Sequence, residues 1–166
     1  MLKSEADRHH GIGRSWESHP QTALSESRIM ITDILKLPLV YQMFQHLGGF
    51  FDARLKAIGS YLPIKSGQKV VDIGCGPGFI VEHLPRGISY LGFDTDASYI
   101  AYATARFGDK GRFFCQIFDE QVARNHAPVD IVMMNGVLHH MNDNEVHQNL
   151  VGIKKALGSG GRLFTL

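Results

Sequence analysis

The sequence predicts an α/β fold, a mostly parallel sheet with helices on both faces and strands in the order 3-2-1-4-5. Three observations carry that expectation. Short apolar or β-branched runs alternate with helical segments, the pattern of parallel strands joined by crossover helices. The first run, Val70 to Ile73, passes directly into a glycine-rich turn, Gly74, Cys75, Gly76, Pro77, Gly78, before a second apolar run of Phe79, Ile80, Val81 and Leu84. The run Tyr90, Leu91, Gly92, Phe93 then ends in Asp94, twenty-two positions after Asp72. In such a sheet a ligand lies at the carboxyl ends of strands one and four, where the winding reverses.

Taken in order, residues 1–24 are polar and mixed, with Gly11, Gly13 and Pro20 and no sustained period, and read as a mobile arm. Trp16 is read as loosely packed on that arm, against the alternative that it docks on the domain or covers the ligand. From Ser25 helical spacing begins: Ile29, Ile31, Ile34 and Leu35, then Leu39, Met43, Phe44 and Leu47 after Pro38. Pro38 opens the second of these helices and Gly48 with Gly49 closes it. A third helix runs through Phe51, Leu55, Ile58 and Leu62 until Pro63 ends it. Residues 25–62 thus form a helical cap ahead of the core, 63–166.

Within the core a helix is expected from about Gly78 to Leu84 and strand two from Ser89 to Phe93. Thr95 or Asp96 caps the next helix, whose apolar members Tyr99, Ile100, Ala103 and Phe107 precede Gly108. Strand three is Arg112 to Ile117, and Phe118 to Pro128 is too polar and short to read as a full helix. Strand four is Val129 to Met134. Asn142 or Asp143 caps a helix to Leu157, and Gly158, Gly160 and Gly161 turn the chain into a last strand, Arg162 to Leu166.

At 166 residues the chain is one domain of a size that buries a proper core. A net charge of +1 with intermixed signs and no basic run gives no case for a nucleic-acid or anionic-membrane surface. Cys75 and Cys115 are the only cysteines and read as free thiols of a reduced, cytoplasmic protein. The N-terminus lacks a continuous apolar segment, so neither a signal peptide nor a membrane span is expected. Two separated cysteines and a His-His pair are not a recognisable metal-ligand set.

The ligand can be argued from charge. A dinucleotide brings a pyrophosphate to the spacing G-x-G-x-x-G, but here the glycines are Gly74, Gly76 and Gly78, and Phe79 takes the third glycine's place. Asp72 would repel phosphate. A ligand carrying an ammonium and a sulfonium suits the site better, with the ribose at Asp94. Glycines at alternate positions let it approach the backbone, and the following helix offers unpaired N–H groups. Ammonium at one acid and ribose at the other describe S-adenosylmethionine.

The runs D-I-G-C-G-P-G, G-F-D, D-I-V-M-M-N-G-V-L-H-H-M at Asp130 to Met141 and A-L-G-S-G-G-R-L-F-T at Ala156 to Thr165 together resemble the class I S-adenosylmethionine-dependent methyltransferases. The likeness is to the small-molecule type, similar to the ubiquinone and menaquinone biosynthesis enzymes, and covers roughly residues 63 to 166. It implies a Rossmann-like core. It also implies that Gly74, Cys75, Gly76 and Gly78 are cofactor-binding, Gly74 and Gly76 facing the methionine part through their backbone, and that Asp72 reaches the amino group directly or through water. Asp94 accepts from the ribose hydroxyls, and Thr95 and Ile100 flank the adenine. Where relatives often place an acid for the adenine amine, this chain has Ile117, with Gln116 beside it and Asp119 two further on. Asn135 and Gly136 line the methionine end through backbone groups.

His139 and His140 follow, where a histidine would take a proton from an attacking hydroxyl or amine; the alternative is a structural histidine bonded to backbone. His83 and His147 read as surface residues. Tyr41, Phe44, Phe50 and Phe51 of the cap are substrate-pocket candidates by resemblance, against the alternative that they are packing. Complete class I enzymes continue past the fifth strand through another helix and two more strands. The chain is C-terminally short by that measure, which predicts an unprotected sheet edge, an open substrate pocket and self-association, a homodimer through that edge included.

The expected activity is methyl transfer to an oxygen, nitrogen or carbon of a small molecule. The alternative is a chain that binds S-adenosylmethionine or S-adenosylhomocysteine without turnover because the C-terminal substrate wall is missing. A nicotinamide-dependent oxidoreductase shares the fold, but the glycine spacing and Asp72 argue against it.

Overall fold

The computed structural model describes residues 49–166. The arm to residue 24, Trp16, the first two cap helices, Tyr41 and Phe44 lie outside the described residues. The third cap helix forms as expected: α1, Phe50–Tyr61, repeats its apolar residues so that Phe51 and Ile58 fall on one buried face, continued by Leu62. Pro63 cannot continue it. Phe51 sits in the core with its ring edge against His83, whereas Phe50 is 68% exposed, so Phe51 packs instead of lining a pocket and Phe50 turns away from the core.

Five parallel strands follow: β1 (Lys69–Ile73), β2 (Ser89–Asp94), β3 (Arg112–Cys115), β4 (Val129–Met134) and β5 (Leu157–Thr165). Their order is β3-β2-β1-β4-β5, the order the alternation predicts. β1, β2 and β4 are buried on both faces, which is why they read as continuous apolar runs. Their side chains alternate between two cores. Val70, Tyr90, Ile131 and Met133 pack with Phe51, Ile58, Ile80 and Phe107. Val71, Ile73, Leu91, Phe93, Val132 and Met134 pack with Ala123, Ile153 and Ala156. The β1–β2 register pairs Val70 with Tyr90 and Asp72 with Gly92, so Asp72 and Tyr90 share a face.

The connections depart from expectation in four places. The segment after the glycine turn is a single 3₁₀ turn, Phe79–His83, not an α-helix: Phe79, Ile80 and Val81 are consecutive and all buried, a pattern no one-sided helix satisfies. The polar stretch after β3 does form a helix, α3 (Glu120–His126), because the Asp119 side chain accepts from Val122 N at 2.8 Å. β3 ends two residues early, leaving Gln116 and Ile117 on the loop. β5 begins five residues early, and its glycines lie in the strand: a Cβ at Gly161 would stand 2.9 Å from the Val129 carbonyl oxygen, beside the register shift between Val129 and Ile131.

The remaining helices start where the capping chemistry puts them. Asp96, not Thr95, caps α2 (Ala97–Phe107) by accepting from Ser98 N and Tyr99 N. Asn142 caps α4 (Asp143–Ala156), and its own N–H donates to Glu145 while the Glu145 N–H donates back to its side chain.

Candidate functional site

The carboxyl ends of β1, β2 and β4 converge on the glycine turn. Gly74, Gly76 and Gly78 all have positive φ, at 71°, 54° and 78°, which accounts for glycine at each. A Cβ at Gly74 would lie 2.6 Å from Val137 and one at Gly78 2.8 Å from Phe113, so those two are held by packing. Gly76 differs, with no heavy atom within 4 Å of the Cβ position; there the backbone is open to approach.

The turn's N–H groups are spoken for. Gly74 N and Cys75 N both donate to the Phe93 carbonyl, Gly78 N donates to Cys75 O, and Gly76 N donates to Asp94 Oδ2 at 2.9 Å. The expected supply of free backbone donors is therefore absent from the turn, and the one-turn 3₁₀ segment behind it adds no helix N-terminus of useful length. The turn thus has no free N–H of its own to offer a phosphate, and two acidic side chains stand beside it. Asp94 also accepts from Asp96 N at 2.9 Å through Oδ1, so one carboxylate ties the turn to the end of β2 while each oxygen keeps a second lone pair.

Asp72 is 1% exposed, and its Oδ2 accepts the Tyr90 hydroxyl at 2.7 Å. It does not cap the turn. Its Oδ1 is buried without a partner. Burial raises the carboxyl from an ordinary 3.8 to about 7, offset in part by the Tyr90 hydrogen bond and the nearby Arg54 guanidinium, with Asp94 adding to the rise. Burial, with Asp72 and Asp94 alongside, likewise pushes the Cys75 thiol up, so this turn cysteine is a packed thiol and not a nucleophile. The Tyr90 hydroxyl is raised too and stays protonated.

Arg54 and Tyr90 are site residues that sequence reasoning missed. Arg54 comes from α1, and its Nη2 lies 2.9 Å from where a Gly136 Cβ would be, at the end of β4. Its buried Nε has no partner, and it forms no ion pair with Asp72. Beside it Asn135 is 5% exposed, with neither side-chain atom hydrogen-bonded. An acid, a guanidinium and an amide, each with a buried polar atom that has no protein partner, thus lie close to the ends of β1 and β4.

A second part of the site is a cleft lined by Ile73, Gly74, Phe93, Asp94, Thr95, Gln116, Ile117, Phe118, Val137, Met141 and Asn149. Thr95, Gln116 and Ile117 meet there, as expected. Ile100 is buried on α2 and is not among the lining residues, and Asp119 is drawn away as the cap of α3. His139 and His140 are exposed on a 3₁₀ turn, Leu138–His140, with ring centroids 3.9 Å apart. Among the described residues neither ring donates to or accepts from backbone. Both cysteines are free thiols. Among the described residues no helix is long and apolar enough to cross a membrane, and no group of three or more His, Cys, Asp and Glu is placed to hold a metal ion.

Residues 71–163 match the family model of a methyltransferase domain. An uncharacterised methyltransferase of Mycobacterium tuberculosis is 30% identical over 103 residues, covering 61% of this chain and 50% of the relative. The ubiquinone biosynthesis O-methyltransferase of Cronobacter sakazakii is 31% identical over 81 residues, 46% of this chain and 33% of that protein. The chain therefore spans half the length or less of these curated relatives. Among solved structures, a TehB-like S-adenosylmethionine-dependent methyltransferase from Corynebacterium glutamicum aligns with a TM-score of 0.55 at 25% identity, covering 74% of this chain and 67% of that one.

Proposed function

The chain belongs to the methyltransferase domain family, and on that premise we propose that its core, residues 63–166, binds S-adenosylmethionine and serves methyl transfer to an oxygen, nitrogen or carbon of a small molecule. The observation that carries the reading is the unsatisfied array of Asp72, Arg54 and Asn135 beside a turn whose N–H groups are consumed. A zwitterionic amino-acid tail answers it: Asp72 holds the ammonium, Arg54 the carboxylate, and Asn135 has both a donor and an acceptor for either. Asp94 takes the ribose hydroxyls on its remaining lone pairs, Gly76 gives the ligand access to the backbone, and Thr95, Gln116 and Ile117 border the base. Gly74, Cys75 and Gly78 shape the turn through packing.

When bound, S-adenosylmethionine supplies a sulfonium-activated methyl group for in-line displacement. The chain's own part is to hold and orient both reactants and to exclude water. His139 and His140, at the rim beyond β4, are the side chains available to accept a proton from an attacking hydroxyl or amine. A small-molecule acceptor is supported by the likeness to the Cronobacter sakazakii O-methyltransferase. The rival reading, a domain that binds without turnover, separates from this one in a single comparison: a longer version of the chain transfers methyl groups where this one only binds.

The residue assignments are tested by S-adenosylhomocysteine affinity in Asp94→Ala and Arg54→Ala. Each removes a charge-assisted contact, and a loss of about 1.5 to 3 kcal/mol is expected. Unchanged affinity in a folded variant removes that residue from the site.

A further inference from the structure

Resting on the reading just given, we infer that Asn149 of α4 is the acceptor that selects a 6-amino purine in this site. The residue is 3% exposed, yet it lies in the middle of a surface helix and lines the same cleft as Asp94 and Thr95. Its Nδ2 donates to the Glu145 carbonyl at 2.8 Å and contacts Met141 Sδ at 3.7 Å. A carbonyl only accepts, so this bond fixes the amide's orientation: the nitrogen must face Glu145 and the oxygen must face away. That oxygen, Oδ1, is buried and has no hydrogen-bond partner.

A buried amide oxygen in this position calls for a donor, since leaving it unpaired carries the full desolvation penalty. The surrounding walls are apolar and suit a planar ring: Ile73, Phe93, Phe118 and Met141 line the same cleft. With the ribose at Asp94, the base reaches into this cleft, and an exocyclic amine is the donor a purine of this cofactor carries. The same oxygen opposes a carbonyl at that position, so the site discriminates an amine from an oxo group instead of merely enclosing a ring.

The experiment is an equilibrium titration of the chain with S-adenosylhomocysteine and with its deaminated counterpart, S-inosylhomocysteine, in the wild type and in Asn149→Leu. The expected result is a preference of roughly tenfold or more for the adenosyl ligand in the wild type, falling toward unity in the variant. If Asn149→Leu fails a thermal-melt check, Asn149→Ser, whose hydroxyl is too short to reach the base, takes its place. Equal wild-type affinity for the two ligands overturns the inference, as does a preference that survives in the variants. Binding of neither ligand by folded wild type instead overturns the cofactor reading, and this inference with it.

Discussion

Asp72→Asn separates what the site costs the fold from what it does for a ligand. In the free protein the Asp72 carboxyl titrates near 7 instead of 3.8, a rise of about three units that burial causes. The folded state therefore holds the proton more tightly than the unfolded state. Stability from this group is fully present below the unfolded value and is lost as pH rises through the folded one. One pKa unit is about 1.4 kcal/mol, so the mismatch between the folded and unfolded Asp72 carboxyl lowers stability by about 4 kcal/mol at pH 8, where it is ionised in both states, but only by about 2 kcal/mol at pH 5, where the folded state still holds the proton. Asparagine has the same shape, still accepts from the Tyr90 hydroxyl, and does not titrate. The stability of Asp72→Asn relative to wild type should rise by roughly 2 to 3 kcal/mol between pH 5 and pH 8, whatever constant offset its own amide adds. Urea denaturation of both proteins at several pH values measures that difference. A difference that is flat with pH would refute the claim that Asp72 is a strained buried carboxylate. Saturating S-adenosylhomocysteine should shift the difference at pH 8 toward the wild type, because the wild type binds the ligand more tightly and gains more stabilisation from it.

Two further predictions rest on the same turn. Gly78→Ala places a Cβ 2.8 Å from Phe113 and 3.1 Å from Ala103 at a φ of 78°, and should destabilise the protein by about 2 to 4 kcal/mol in a denaturant melt. A loss under about 0.5 kcal/mol would mean the turn is not held as described. Thiol titration of the native protein should give one fast-reacting cysteine, the exposed Cys115, with Cys75 reacting only on unfolding; two fast thiols would contradict the buried turn.

How much of this was legible beforehand follows from what each residue type advertises. β1, β2 and β4 stand out because strands buried on both faces must be apolar throughout, and the caps of α2 and α4 narrow only to Thr95 or Asp96 and to Asn142 or Asp143, because short polar side chains before an apolar period all read as caps. The 3₁₀ turn was misread as a helix because Phe79, Ile80 and Val81 signal only apolarity, and three consecutive buried residues fit strand, core helix or tight turn equally. α3 was missed because one cap and one buried alanine are too little pattern to read over seven residues. The glycine turn and the two acids beside it are readable from spacing. Their partners are not. Arg54 looks like the polar face of an amphipathic helix until the fold brings that helix over the end of β4. Tyr90 looks like a strand aromatic until the register sets it on the face of Asp72. Asn149 looks like a solvated helix residue until the cleft is seen to reach it.

The measurement that bears most directly on the whole account is calorimetric titration of the 166-residue chain with S-adenosylmethionine, S-adenosylhomocysteine and NAD. The account predicts saturable binding of the first two in the micromolar range and none of the third, since the site offers carboxylates and no free turn donors to a pyrophosphate. A folded sample that binds neither sulfur ligand, or that binds NAD in their place, would contradict it.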